Sequence, residues 1–289
     1  MRGDGLLQVE GVTKRFGGVT AVHRCSLALQ GGKIYGLIGP NGSGKTTLFN
    51  CVTGIEQRDE GTIRYKGEQL DGLRPYQIAQ RGIGRTFQVI RIFPELTALE
   101  NLLVVSRQGG IEANRKRAED LLAFVRLTPL AGEFGGNLSY GQQKLLEFAR
   151  ILMLDPDLVL LDEPAGGVNP TLLADLLEHI RWLPGQGKTV MIVEHNMQVI
   201  MGLCEHVFVL DHGELIAQGP PAEIQRNEQV IEAYFGRHYR ASAAPVAAGN
   251  LRLRRVTAGN LALRAVTYRR LWQQRVTMSC PTRHRRLFP

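Results

Sequence analysis

Cysteine is scarce in this sequence, with four residues among 289. Cys25, Cys51, Cys204 and Cys280 are scattered along the chain, and no two of them form a C-x-x-C pair. This scatter argues against a disulfide-rich scaffold and against a cysteine zinc site. It is typical of a reduced, cytosolic chain.

Long apolar runs are missing as well. No stretch of about 18 apolar residues occurs, so we expect no transmembrane helix. The segment Met1–Gly5 lacks the apolar core of a secretory signal, so we expect no signal peptide. The hydrophobic fraction of 44% and the charged fraction of 21% are ordinary for a globular protein, which excludes collagen, coiled coil and global disorder. Any membrane contact is expected to come through a partner.

Acidic side chains are absent from one whole segment, residues 241–289. This segment holds 10 arginines and no lysine, whereas residues 1–240 carry all 27 acidic residues beside 25 Lys and Arg. The net charge of +8 therefore divides into −2 for the body and +10 for the tail. A ten-residue pattern beginning Ala-Gly-Asn-Leu at residue 248 repeats at residue 258. We interpret the tail as solvated and flexible, with a short hairpin on an anionic partner as the alternative.

Strand-like apolar runs alternate with amphipathic stretches along the body, which indicates an α/β domain with a largely parallel sheet. The predicted strands are Leu7–Val9, Ile34–Ile38, Thr62–Tyr65, Leu158–Leu161, Val190–Val193, Val207–Leu210 and Glu214–Gln218. The predicted helices are Lys45–Thr53, Pro75–Arg81, Ala98–Val105, Ala113–Val125, Gly141–Met153, Pro170–Leu183 and Met197–Leu203. The part from Leu7 to Tyr65 is more typical of an antiparallel layer, and residues 98–137 of an inserted helical subdomain.

One glycine-rich motif has a direct chemical meaning. Gly39-Pro-Asn-Gly-Ser-Gly-Lys-Thr46 satisfies G-x-x-x-x-G-K-[ST] between a predicted strand and a predicted helix. Its glycines let the backbone aim N–H groups at phosphate oxygens, and the helix start adds its positive dipole end. Lys45 is placed to reach the β- and γ-phosphates, and the Thr46 hydroxyl to bind Mg²⁺.

Two carboxylates end the predicted strand that begins at Leu158. Successive strand residues point to opposite faces, so Asp162 and Glu163 are expected to have different roles. Asp162 would hold Mg²⁺, and Glu163 would polarise the attacking water at the edge where open α/β sheets bind ligands.

Five further segments complete a set of motifs. They are Lys14–Gly18 with Phe16, Gly84–Gln88, Leu138–Gln142, Gly167–Pro170, and His195 after the strand Val190–Val193. In this order and spacing the set resembles the ATP-binding-cassette (ABC) ATPases over about residues 6–237. The resemblance implies an α/β P-loop NTPase fold with a RecA-like core, an antiparallel β layer and an inserted helical subdomain. It implies an ABC ATPase domain at 1–240, the helical subdomain at about 89–137 and a C-terminal helix at 220–237, followed by the tail 241–289.

The resemblance also implies the site, with ATP and Mg²⁺ as cofactors. The ATP-binding residues would be Phe16, Gly39, Pro40, Asn41, Gly42, Ser43, Gly44, Lys45, Thr46, Thr47 and Gln88. Glu163 and His195 would be catalytic, and Thr46, Gln88 and Asp162 would hold Mg²⁺. The signature residues Ser139, Tyr140, Gly141 and Gln142 would close on ATP held by a second subunit, with Asn169 of the D-loop bridging the two sites.

Within the superfamily, the chain resembles the ATPase subunits of branched-chain amino acid importers. The similar segments are Phe16–Gly18, Gly84–Gln88, Leu138–Gln143, Asn169–Pro170, Val193–Met197 and Val230–Gly236. The resemblance implies a second ATPase subunit of the same or a related chain, transmembrane permease subunits, and an external solute-binding protein. It places the chain on the cytoplasmic face of the membrane.

Two alternatives stay open at this point. One is an ABC ATPase for another solute, such as urea, or for a lipid or lipopolysaccharide exporter. The other is a non-transport ABC protein acting on nucleic acid or the ribosome through the arginine tail. Such proteins usually carry two cassettes, and this chain has room for one, so we expect no nucleic-acid partner.

Overall fold

The computed structural model describes residues 5–106 and 109–235. The strands in these ranges are β1 (Leu7–Phe16), β2 (Val19–Leu29), β3 (Ile34–Ile38), β4 (Glu60–Tyr65), β5 (Glu68–Gln69), β6 (Ile83–Arg85), β7 (Leu158–Asp162), β8 (Thr189–Val193), β9 (His206–Asp211) and β10 (Glu214–Gly219). The α-helices are α1 (Lys45–Val52), α2 (Pro75–Gln80), α3 (Ala98–Leu103), α4 (Ile111–Phe124), α5 (Tyr140–Met153), α6 (Pro170–Trp182), α7 (Met197–Leu203), α8 (Pro221–Ile224) and α9 (Glu228–Phe235).

A six-stranded sheet forms the centre of the domain, in the order β10-β9-β3-β8-β7-β6. All neighbours pair in parallel except β9 and β10. Every residue of β3, β7 and β8 is buried, because both faces of the sheet are covered. The largely parallel sheet expected from the sequence is therefore confirmed.

A second, antiparallel sheet has the order β2-β1-β4-β5. Its apolar face joins α1 and one face of the central sheet in a common core, to which β7 contributes Leu158 and Leu160. The antiparallel layer expected between Leu7 and Tyr65 is present, but β3, inside this range, belongs to the parallel sheet. β3 is buried on both faces, which suits a central strand and not a layer with one solvated face.

Helices dominate residues 98–137, as expected. α3 and α4 are followed by two short 3₁₀ turns at Thr128–Leu130 and Gly135–Asn137, and both helices pack against α5. No helix in the described ranges is both long and apolar enough to cross a bilayer. The limits proposed for the helical subdomain and for the domain 1–240 stay predictions. The tail 241–289 and the last two residues of the expected helix 220–237 lie outside the described residues.

Candidate active site

The glycine-rich loop joins the end of β3 to the start of α1, as the motif predicts. Gly39 and Gly44 have φ angles of 154° and 99°, a region that residues with a β-carbon rarely adopt. A β-carbon at Gly39 would collide with the carbonyl oxygen of Leu210, and one at Gly44 with that of Ala21. These two glycines therefore allow the loop to pass close to neighbouring backbone.

The loop is folded around the ammonium group of Lys45. Lys45 Nζ donates hydrogen bonds to the carbonyl oxygens of Gly39 and Pro40, both at 2.8 Å, and to Ser43 Oγ at 3.2 Å. Burial lowers the pKa of Lys45, and the nearby carboxylates of Glu163 and Asp162 oppose this shift. The Lys45 ammonium of the phosphate loop and the carboxylates of Asp162 and Glu163 therefore interact electrostatically, and we treat them as one site.

The other expected ATP-binding residues surround this ammonium at different depths. Gly39 and Ser43 are buried, Pro40, Gly44 and Thr47 are half-buried, and Asn41, Gly42 and Thr46 are exposed. The first turn of α1 starts at Lys45, and N–H groups in a first turn have no acceptor within their own helix. The loop therefore combines a cation with backbone donors, which is the chemistry that a phosphate chain requires.

Asp162 ends β7 and is buried in an ion pair that the sequence analysis missed. Arg85, at the end of β6, donates from Nη2 to Asp162 Oδ2 at 3.0 Å. Arg85 Nη1 also donates to Asn50 Oδ1 at 2.7 Å and to Thr53 Oγ1 at 3.2 Å. Arg85 therefore ties the strand-end carboxylate to the helix that follows the phosphate loop.

Several contacts fix Glu163 immediately after β7. Its φ angle is 48°, in the left-handed region, and its amide donates to Val193 O at 2.9 Å. Its Oε2 accepts a hydrogen bond from Gln88 Nε2 at 3.2 Å, and its Oε1 lies 3.7 Å from His195 Nδ1. The structure therefore brings together Glu163, Gln88 and His195, as the motifs predict.

The signature segment forms the start of α5. Ser139 is the N-cap: its Oγ accepts from the Gln142 amide at 3.4 Å, and Gln142 Oε1 accepts from the Ser139 amide at 2.8 Å. Gly141 is buried, and a β-carbon there would press on Leu172 of α6. This capping box leaves further N–H groups of the first turn pointing outward at an exposed helix end.

The last two predicted positions lie at the ends of other elements. Asn169 is the N-cap of α6, with its Oδ1 accepting from the Leu172 amide at 3.0 Å. Phe16 ends β1 with 46% of its surface exposed, and Lys14 Nζ lies 5.0 Å from its ring centroid. An exposed aromatic ring at a strand end is available for stacking.

Two further residues at the site were not singled out from the sequence. Lys144 of α5 donates to the carbonyl oxygen of Glu163 at 2.8 Å, and the Glu194 carboxylate accepts from the His195 amide at 3.1 Å. Arg85 and Glu194 lie inside the segments Gly84–Gln88 and Val193–Met197, and Lys144 directly follows Leu138–Gln143. These residues act on the motifs because they are buried against them. Since burial depends on tertiary contacts, the sequence alone does not reveal this role.

The residues present fit both Mg²⁺ and a nucleotide phosphate chain. The hydroxyl of Thr46, the side-chain carbonyl of Gln88 and the carboxylate of Asp162 are oxygen donors, which Mg²⁺ prefers. Mg²⁺ sites of this kind commonly use one or two carboxylates and complete their coordination with phosphate oxygens. The buried Lys45 supplies the matching positive charge for the phosphates.

Comparisons with known proteins identify the family of this chain. The family described as ABC transporter matches residues 22–166, and the family described as branched-chain amino acid ATP-binding cassette transporter matches residues 214–240. The high-affinity branched-chain amino acid transport ATP-binding protein BraF of Pseudomonas aeruginosa is 40% identical over 249 residues, covering 80% of this chain and 98% of the relative.

Solved structures of ATP-binding cassettes also match this chain. An ATP-binding cassette of an ABC transporter in its ADP conformation matches with a TM-score of 0.73 and 32% identity, covering 80% of this chain and 99% of that one. A dimeric cassette in a post-hydrolysis state with ADP and Pi matches with a TM-score of 0.69 and 28% identity, covering 74% of this chain and 98% of that one. The chain therefore belongs to the ABC transporter family as an ATP-binding and ATP-hydrolysing cassette subunit, in the group named for branched-chain amino acid transport.

Proposed function

We propose that this cassette couples hydrolysis of Mg²⁺-bound ATP to the import of branched-chain or related amino acids through a separate permease. One observation carries the catalytic part: the Glu163 carboxylate is held by Gln88, beside His195, in the same electrostatic site as Lys45. A carboxylate fixed beside a phosphate-binding cation is suited to activating the water that attacks the γ-phosphate. The import part is supported by the names of the relatives.

The phosphate loop would bind ATP through its backbone amides and the Lys45 ammonium. In the described structure, Lys45 is bound to loop carbonyls, so nucleotide binding would exchange these acceptors for phosphate oxygens. Bound Mg²⁺, held by Thr46, Gln88 and Asp162, would neutralise phosphate charge. Phe16 would stack on the adenine ring. Positioning and charge neutralisation supply most of the catalysis in phosphoryl transfer.

Glu163 would orient and deprotonate the attacking water. His195 would contact the γ-phosphate and hold the water in line, from a position within 3.7 Å of Glu163. Gln88 links this group to the segment that follows β6, so it is placed to report the state of the site to other parts of the transporter.

The site would be completed by a second subunit, either the same chain or a related one. Ser139 and Gly141 place free N–H groups and a helix dipole at an exposed helix end, which suits an anion. We propose that this end closes on the γ-phosphate bound by the other subunit. A related cassette of solved structure is dimeric, with ADP and Pi bound.

The permease would bind in an apolar groove on the surface of the cassette. A cavity of about 480 Å³ lies between α2, the segment after β6 and the end of α5. It is lined by Ile55, Tyr76, Phe87, Phe93 and other side chains. Ile55, Tyr76 and Phe93 are exposed large apolar residues, which suits a partner helix. The cassette would thereby lie at the cytoplasmic face of the membrane, in a complex that includes an external solute-binding protein.

A Glu163→Gln variant tests the catalytic role. We expect steady-state turnover to fall by about 100-fold or more, because general-base catalysis contributes about 10²–10⁴-fold. Its ATP affinity should stay close to that of the wild type. Lys45→Ala should instead weaken ATP binding by about 10–100-fold, since it removes charge-assisted hydrogen bonds to phosphate. The exposed Glu178→Gln change in α6 is the matched control. Wild-type turnover in Glu163→Gln would contradict the role of Glu163.

Affinity capture from detergent-solubilised membranes tests the transport role. The tagged Glu163→Gln subunit, supplied with ATP, should recover permease subunits of the branched-chain amino acid type. The Lys45→Ala subunit should recover less of the second ATPase subunit, because it cannot bind the nucleotide that closes the dimer. Recovery of ribosomes or nucleic acid without any membrane protein would contradict the transport role and leave the ATP site intact.

A further inference from the structure

Two charged side chains lie buried beneath the candidate catalytic residues, and the mechanism above uses neither. Lys144 is 8% exposed and Glu194 is 1% exposed. Burying a charge is costly unless the group is paired and hydrogen-bonded. The partners of these two residues therefore indicate why the fold places them there.

Glu194 fastens two separate loops to each other. Its Oε1 accepts a hydrogen bond from the Ala165 amide at 2.8 Å. Its Oε2 accepts from the amides of His195 at 3.1 Å and Asn196 at 3.2 Å. Ala165 follows Glu163 by two residues, so one carboxylate joins the backbone beside Glu163 to the backbone that carries His195.

Lys144 holds the same loop from the side of the signature helix. Its Nζ donates to the carbonyl oxygen of Glu163 at 2.8 Å, and the Gly166 amide donates to the same oxygen at 3.2 Å. Glu163 has a φ of 48°, in the left-handed region that residues with a β-carbon adopt uncommonly. The bond from Lys144 is one of the contacts that stabilise this conformation.

The two side chains also act on each other electrostatically. Burial lowers the pKa of Lys144, and the carboxylate of Glu194 is the largest influence opposing that shift, followed by those of Glu147, Glu163 and Asp162. Lys144 Nζ also lies 5.5 Å from the centroid of the Tyr140 ring in the signature segment. Lys144 thus stands between the signature, Glu163 and Glu194.

We propose that Lys144 and Glu194 are positioning residues, which together fix the backbone of Glu163 and His195 in the arrangement that hydrolysis requires. The proposal rests on the catalytic roles proposed above for Glu163 and His195. In the described structure their polar contacts run to the catalytic loops and not to the phosphate loop. Their loss is therefore expected to lower kcat and to leave nucleotide affinity nearly unchanged.

Kinetics of four variants test this expectation. In Glu194→Gln, the side-chain NH₂ replaces an acceptor that faces amide donors, and in Lys144→Met the donor to Glu163 is lost. Each change should lower kcat by about 30-fold or more, with KM and the ATP Kd within about threefold of wild type. Lys144→Arg keeps a cationic donor and should recover most of the rate. Glu119→Gln, at an exposed site on α4, is the matched control and should leave kcat unchanged.

Amide hydrogen exchange tests the placement independently of catalysis. In the wild-type protein the amides of Ala165, His195 and Asn196 should exchange slowly, although they lie in loops. The amides that face the new NH₂ group in Glu194→Gln lose their acceptor, so at least one of the three should exchange at least about tenfold faster. Fast exchange in the wild type, or folded Glu194→Gln and Lys144→Met variants with kcat within about threefold of wild type, would overturn the proposal.

The same measurements separate this proposal from the catalytic proposal. Wild-type turnover in Glu163→Gln would refute the role of Glu163 and leave the exchange pattern as expected. Loss of turnover in Glu163→Gln together with normal turnover in Glu194→Gln and Lys144→Met would refute only the positioning role. If Glu194→Gln does not fold, Lys144→Met and the exchange of the wild-type amides decide the outcome.

Discussion

The ion pair between Arg85 and Asp162 shows how much the site depends on single buried residues. The side chains are 5% and 3% exposed, respectively. Burial lowers the pKa of Arg85 and raises that of Asp162, while the contact between them opposes both shifts. Both pKa shifts mean that desolvation destabilises each charged form by more than the ion pair stabilises it. Such a pair adds little stability as a whole, but losing one member leaves an uncompensated buried charge.

We therefore predict that Arg85→Met destabilises the fold by about 3 kcal/mol near neutral pH. The pKa of Asp162 in the folded variant should rise further above its value in the unfolded chain. The variant therefore loses stability as pH increases from the unfolded pKa of Asp162 through its folded pKa. The difference from wild type should be smaller at about pH 5 than at about pH 8. Denaturant unfolding at both pH values measures it.

Arg115→Met is the control for this substitution. Arg115 forms an exposed i,i+4 pair with Glu119, and such pairs contribute only about 0.3–0.5 kcal/mol. Equal stability losses in Arg85→Met and Arg115→Met, or a loss that does not depend on pH, would contradict the argument from burial.

At the scale of elements, α3 and α5 begin with the same capping box. Thr97 Oγ1 accepts from the Glu100 amide at 3.2 Å, as Ser139 Oγ accepts from the Gln142 amide at 3.4 Å. The two N-caps are therefore alike as local structure. They differ in function, because only Ser139 belongs to the signature segment that we propose binds ATP in the other subunit.

This likeness gives a matched pair of substitutions. Thr97→Ala and Ser139→Ala should each cost about 1 kcal/mol of folding stability, the usual effect of losing an N-cap. Introduced into the Glu163→Gln background, only Ser139→Ala should prevent ATP-dependent dimer formation, as measured by light scattering. Loss of the dimer with both substitutions would mean that Ser139 acts through helix stability alone.

The sequence predicted several elements closely, including the partly exposed α2 and β10 as well as buried strands. β3 and α7 were predicted with their observed limits, and β7 and β8 to within one residue, because an uninterrupted apolar run or an amphipathic period marks them. β2 was missed because polar residues alternate along its half-exposed face, and β6 because three residues carry no period. Strand pairing depends on contacts distant in sequence, which explains why β3 was wrongly included in the antiparallel layer.

The residues of the candidate site also differ in how well the sequence predicts them. Lys45, Glu163, Gln88 and His195 were predicted because each lies in a motif with a fixed spacing, and the structure brings them together. The role of a residue that acts by being buried against those motifs depends instead on tertiary contacts. Lys144 could not be distinguished from an ordinary helix lysine until α5 was packed against the loop after β7.

At the scale of the whole molecule, the proposed ATP site is divided between two subunits. Lys45 and Glu163 share one electrostatic site within the chain, whereas the hydrogen bonds of Ser139 run to Gln142 in its own capping box. In a symmetric dimer each ATP would be bound by Lys45 and Glu163 of one copy and by Ser139 of the other. This division makes a prediction about mixtures of inactive variants.

Mixing Lys45→Ala with Ser139→Ala subunits should restore ATP hydrolysis. Half of the randomly formed dimers are mixed, and each has one intact site, so activity should reach about a quarter of the wild-type value. Mixing Lys45→Ala with Glu163→Gln is the control, because both residues serve the same site and the mixed dimer has none intact. Turnover measured across mixing ratios should be highest at equal proportions of the first pair. If neither mixture regains ATP hydrolysis, the result would contradict a site shared between two copies of this chain.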